Sequence, residues 1–294
     1  MDSLNTPSSF KLRQQIGIVI FFAASGQLVP LLIEIVFEID LSKSMMSIIA
    51  FLIFALVILL FPRVFGIPFG KLPIREFFRK IGLYIPQDTY KHVILGTTLA
   101  LCTLTGMLVG SLLTGKYVVD FANITIDHAL FSLVPGVWEE VFYRGILMIL
   151  LLKTVKRLEL AFAIQCIIFG LLHIRSVDLA GFIDVLSVMI IAIGFTYAVY
   201  KTNSLLAAMV FHYLHDALLF FVLIPGGEYT GPIEIAMFYI PLWIMVGTGL
   251  LITKFASEKF RFNAGGELLY ASYYPVQKAE PQVSDNIMLS ATKY

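Results

Sequence analysis

Seven ionisable residues that could do chemistry stand inside long apolar runs. Glu139, Glu140 and Arg144 lie in Trp138-Glu-Glu-Val-Phe-Tyr-Arg-Gly145, and His173 lies in Phe169-Gly-Leu-Leu-His173. His212, His215 and Asp216 lie in Phe211-His-Tyr-Leu-His-Asp216. A carboxylate with several imidazoles suits the activation of water. Glutamate is the general base, a histidine beside it shares or orients the water's proton, and further polar groups stabilise a developing oxyanion. Glu, His and His also form a ligand set for Zn²⁺ in hydrolases, and Glu, His and Asp can relay protons in a transporter. His-Glu-x-x-His, Gly-x-Ser-x-Gly and Walker signatures are absent.

Spacing decides which groups can cooperate. Glu140 and Arg144 are i,i+4 on a helix and can pair, offsetting part of the cost of burying both. His212 and Asp216 share a face in the same way, His215 lies on the flank of that face, and Phe169 shares a face with His173. Glu139 has no local counter-charge. Each feature also has a plainer reading: intramembrane histidines bond helix to helix, i,i+4 Glu–Arg pairs are often structural, and Pro135-Gly136 can be a simple kink. At ~1.5 Å per residue from the cytoplasmic end of each span, Glu139 lies ~20 Å deep, His173 ~22 Å, Asp216 ~18 Å, and His212 and Arg144 ~12 Å. Separate segments thus deliver ionisable groups to one mid-membrane layer, which marks a functional site. Asp184 and Glu34 fall near the outer surface on the same scale and read as interfacial. Trp138, Tyr143 and Tyr213 read as packing residues.

The elements that position these groups follow from composition. Of 294 residues, 59% are hydrophobic and 14% charged, and the mean hydropathy is +0.87. A soluble domain carries about 25% charged residues, so the chain reads as an all-α polytopic membrane bundle. Apolar runs at roughly 16–37, 45–62, 92–114, 129–152, 158–175, 179–200, 204–224 and 233–253 predict about eight spans. With the N-terminus inside, only Lys43, Lys116 and Arg175 fall outside and Arg144 lies within a span. Every other Lys and Arg is then cytoplasmic, which places both termini on that side. Residues 1–253 form the bundle. Within it, 63–91 is a cytoplasmic stretch with a short helix (Ile74 to Leu83) at the headgroup surface. Residues 254–294 read as a flexible cytoplasmic tail. Net charge is +1, which offers nothing to nucleic acid. Cys102 and Cys166 sit in apolar runs and suggest neither a disulfide framework nor a zinc cluster.

Glu139-Glu140-x-x-x-Arg144, Phe169-x-x-x-His173 and His212-x-x-x-Asp216, in that order on separate helices, resemble the three-motif signature of the CAAX prenyl protease and bacteriocin-processing (CPBP, Abi) family of intramembrane proteases. The resemblance covers roughly residues 70–225, including Arg79-Lys-Ile-Gly-Leu83 before the first core helix. It implies an intramembrane endopeptidase in which Glu139 and His173 activate water, and His212 and Asp216 shape an oxyanion pocket. Glu140 and Arg144 would support the site. Asp216 departs from the Asn of the eukaryotic members. An ionised Asp cannot donate to an oxyanion, so it must be protonated, orient His212 or help bind metal. A divalent metal such as Zn²⁺ is left open, with Glu139, His173 and His212 as candidate ligands and His215 as a substitute. The implied partners are a peptide or protein substrate at the membrane and the lipid bilayer; the chain's compactness and short N-terminus point to the plasma membrane of a prokaryote as its location. The alternative is a non-catalytic membrane regulator or bacteriocin self-immunity protein that uses the same polar cluster for structure or partner binding.

Overall fold

In the computed structural model, the residues described are 13–21, 36, 43–64, 73–115, 117–120, 125–174, 176–225, 229–262, 269–270 and 273. Glu34, Lys71, Lys116, Arg175 and residues 274–294, all part of the reading above, lie outside them.

Helices dominate the chain. In order they are α1 (13–21), α2 (Lys43–Val64), α3 (Ile74–Lys80), α4 (Thr89–Thr114), α5 (Ile126–Val134), a π-helix (Pro135–Leu147), α6 (Met148–Val155), α7 (Leu158–Leu171), α8 (Leu179–Thr202), α9 (Leu206–Val222) and α10 (Pro232–Phe260). A short antiparallel ribbon joins β1 (Tyr117–Val119) to β2 (Leu223–Pro225). Among the described residues, α4, α8 and α10 are long and apolar enough to cross a membrane. The short helix expected after Pro73 is α3, and it buries Phe77.

Residues 126–155 are continuously helical, as the fourth apolar run requires, but the middle is not an α-helix. The ladder changes to i+5 bonding from Pro135 to Leu147, where Glu139, Glu140 and Arg144 stand. Proline supplies no N–H and so cannot hold an ordinary i→i−4 bond at position 135, and π segments gather at functional sites. The Pro135-Gly136 pair is therefore more than a kink. An added Cβ at Gly136 would sit 2.8 Å from both Cα and Cβ of Tyr213, so glycine lets the π-helix touch the backbone of α9 directly.

The other helices are held by small residues and buried polar bonds, as expected where apolar burial alone does not favour one neighbour over another. Gly106 and Gly110, one turn apart on α4, let the α10 backbone approach at Leu242 and Phe238. Thr196 Oγ1 on α8 donates to Gln165 Oε1 on α7 at 2.7 Å. The Trp243 indole on α10 donates to Ser187 Oγ on α8 at 2.9 Å. Asp184 accepts from Tyr239 at 3.2 Å.

The described part of 254–294 is not free of the bundle. Helix α10 continues to Phe260, beyond the apolar run that ends near 253. Leu269 and Tyr270 are buried. The tail's polar composition concealed these apolar and aromatic residues, which have a place to go inside the fold.

Candidate functional site

The π-helix brings Glu139, Glu140 and Arg144 to one side of α9, which carries His212, His215 and Asp216. Glu140 and Arg144 are fully buried, and Arg144 Nη1 donates to Glu140 Oε1 at 2.9 Å. The pairing expected from the spacing is present, although the helix that carries it is a π-helix. The guanidinium is also covered by aromatic faces, 4.2 Å from the Phe169 ring centroid on α7 and 4.9 Å from that of Phe195 on α8. Cation–π attraction of this kind strengthens when water is excluded.

His212 Nδ1 lies 2.7 Å from the same Glu140 Oε1. A carboxylate here only accepts, so Nδ1 carries the proton and Nε2 is the nitrogen turned outward. Nε2 lies 3.9 Å from Glu139 Oε2 and 3.7 Å from Asp216 Oδ2. Glu139 thus meets a charge partner from α9. The Phe195 ring stacks on the imidazole at 4.5 Å and 22°, fixing its plane. The Glu139 and Asp216 side chains retain 13% and 19% exposure, whereas Glu140 and Arg144 retain none. The outward-facing pair is therefore Glu139 and Asp216, around His212 Nε2.

His173 is placed differently. Its Nδ1 lies 2.7 Å from the Phe169 carbonyl, which also can only accept. The same tautomer follows, with Nε2 free to accept a proton. Its ring lies against Phe169, centroids 4.6 Å apart, and the Phe169 centroid lies 6.1 Å from that of His212. His173 therefore joins the cluster through Phe169 and not through a carboxylate. His215 is buried, and its Nδ1 lies 3.0 Å from Thr103 Oγ1 on α4. It is a tie between helices rather than a free ligand.

Among the described residues, no group of three or more His, Cys, Asp and Glu is arranged to hold a metal ion. The set of Glu139, His173 and His212 is not gathered into such a group.

Two residues outside the motifs, with Phe169 inside one, complete the setting. Phe195 and Phe169 wall the Arg144 guanidinium, and Tyr270 donates its hydroxyl to the Arg144 carbonyl at 2.8 Å. Phe169 stood inside a motif. Phe195 lies in an uninterrupted apolar run and Tyr270 in the segment read as a tail, so the sequence singles out neither.

Residues 121–218 match the family model for type II CAAX prenyl endopeptidase Rce1-like proteins. That stretch holds all three motifs, so the resemblance read from them is borne out at the level of the family. No curated protein and no solved structure matches the chain.

Proposed function

We propose that the chain is an intramembrane endopeptidase of the CAAX protease type, an eight-span protein of the cell membrane with both termini cytoplasmic. The observation that supports this most is the outward-facing group of Glu139, His212 Nε2 and Asp216 on a fully buried Glu140–Arg144 base. The match over 121–218 supports a membrane peptidase at family level.

In this reading the water lies between Glu139 Oε2 and His212 Nε2, whose 3.9 Å separation exceeds a direct hydrogen bond and suits a bridging molecule. Glu139 takes the proton as the water oxygen attacks the peptide carbonyl. His173 Nε2, the free acceptor nitrogen, orients the same water or receives the proton. The carbonyl oxygen becomes the oxyanion. His212, when Nε2 is protonated, donates to it while Glu140 holds the other nitrogen. Asp216 orients that Nε2, the role left to an ionised carboxylate that has nothing to donate. The proton on Glu139 passes to the leaving amine. The substrate is a peptide or protein segment at the membrane.

The test is Glu139→Gln in purified enzyme, with peptide cleavage followed by mass spectrometry. Loss of turnover in a folded variant supports the assignment, and undiminished turnover removes it. A second reading rests on the complete burial of Glu140 and Arg144, which equally suits a regulator whose cluster only builds the bundle. Full cellular function in folded Glu139→Ala and His173→Ala variants would select that reading.

A further inference from the structure

The residues that follow α10 return to the helix bundle at three points. The Leu269 N–H donates to Asn203 Oδ1 at 3.0 Å, and Asn203 itself is the left-handed cap of α8. The Tyr270 hydroxyl donates to the Arg144 carbonyl at 2.8 Å, and the Tyr273 hydroxyl to the Lys80 carbonyl at 3.2 Å. Lys153 Nζ lies 5.4 Å from the Tyr273 ring centroid. The Leu269 side chain lies over Gly82, where a Cβ would stand 2.8 Å from it. Leu269, Tyr270 and Tyr273 thus tie α3, the turn at Gly82, the α8–α9 loop and the π-helix to one another.

The bond to Arg144 is placed at a weak point of the ladder. Met148 N–H still reaches Tyr143, five residues back, and α6 begins at Met148. The next carbonyl is that of Arg144, at the handover from i+5 to i+4 bonding, where a carbonyl becomes available to a partner outside the helix. Burial pushes the Tyr270 phenol above its ordinary range, so the hydroxyl stays a donor. The Tyr270 ring is 1% exposed, which makes this a fixed contact.

We propose that Tyr270 is a positioning residue: by holding the Arg144 carbonyl, it sets the Arg144–Glu140–His212 chain that aims His212 Nε2 at the reacting water. The effect on reaction rests on the peptidase reading above, while the effect on His212 does not. Tyr270→Phe removes one oxygen and keeps the ring. In the full-length protein it is expected to lower kcat roughly three- to tenfold, the effect of one lost hydrogen bond. KM stays unchanged, because no group that binds the substrate is altered.

The second readout is the ¹⁵N signal of the His212 ring in histidine-labelled protein, assigned by its loss in His212→Gln. It is expected to move in Tyr270→Phe and to move likewise in Asn203→Ala, which loosens the same segment elsewhere. A His212 signal that stays in place in Tyr270→Phe overturns the proposal. An unchanged kcat, in a wild type that cleaves, overturns its role in the reaction. A wild type that cleaves no peptide overturns the peptidase reading instead, and the shift of the His212 signal then still decides whether Tyr270 positions that ring.

Discussion

His212 and Glu140 lie 72 residues apart in the chain, and their Nδ1 and Oε1 atoms lie 2.7 Å apart. The same oxygen accepts from Arg144, so one buried atom couples the π-helix to α9 and sets which imidazole nitrogen is turned outward.

Arg144 should accordingly be the most sensitive position for folding. Removing one partner of a buried ion pair strands the other charge, and Arg144→Ala is expected to cost about 3–5 kcal/mol. The guanidinium also lies between Phe169 and Phe195. Arg144→Lys keeps the charge but loses the planar contact and should fall between wild type and alanine. Thermal unfolding of the three proteins in one detergent gives the order. If Arg144→Ala unfolds with wild type, Glu140 does not depend on it.

The motifs could be read from the sequence because they are ionisable groups where ionisable groups are costly. Spacing gave the Glu140–Arg144 pair directly, and the apolar runs gave most helix positions. Spacing could not give the bond from His212 to Glu140, because an inter-helix contact depends on how α9 meets the π-helix. Nor could it give the approach of His212 Nε2 to Glu139 Oε2, 3.9 Å apart across two helices. The π ladder was out of reach for the same reason: its local signals, Pro135 and Gly136, suggest a kink until Tyr213 is seen against the glycine. Docking of Leu269 and Tyr270 was hidden because the apolar stretch that holds them is far too short to read as a span.

Gly136 tests that close approach. Gly136→Ala places a Cβ 2.8 Å from the Cα of Tyr213, next to His212. A backbone atom cannot swing aside, so α9 must move away from the π-helix. Turnover is expected to fall at least about tenfold, since small misplacements of reacting groups are costly. Gly247→Ala in α10 is the control, because nothing lies within 4 Å of its added Cβ. It should leave turnover unchanged and stabilise the helix by up to about 1 kcal/mol. Equal activity in the two variants would count against the contact.

Thr103→Val removes the hydroxyl that meets His215 Nδ1 at 3.0 Å. The valine fills nearly the same volume and leaves a buried ring nitrogen without its partner, which costs about 1–3 kcal/mol. A tie between helices should affect stability and spare the chemistry, so the unfolding midpoint should fall with turnover per folded molecule preserved. Lost turnover at an unchanged midpoint would return His215 to the list of site residues.

At the start of α8, the Asp178 carboxylate Oδ1 accepts from the Gly181 N–H at 2.8 Å and from Ser176 Oγ at 2.7 Å. These bonds favour the charged form and hold the carboxyl below its usual range. A folded pKa below the unfolded one means that the stabilisation is present at neutral pH, above the unfolded value of about 3.9. It is lost as the pH falls toward the folded value. Asp178→Asn keeps an oxygen for the cap and removes the charge. The wild type should therefore unfold at a higher temperature than Asp178→Asn at pH 7, and the gap should narrow as the pH is lowered below the unfolded value of about 3.9. Midpoints measured across that range decide it: a gap that is the same at both ends would mean that the charge of Asp178 contributes nothing to the cap.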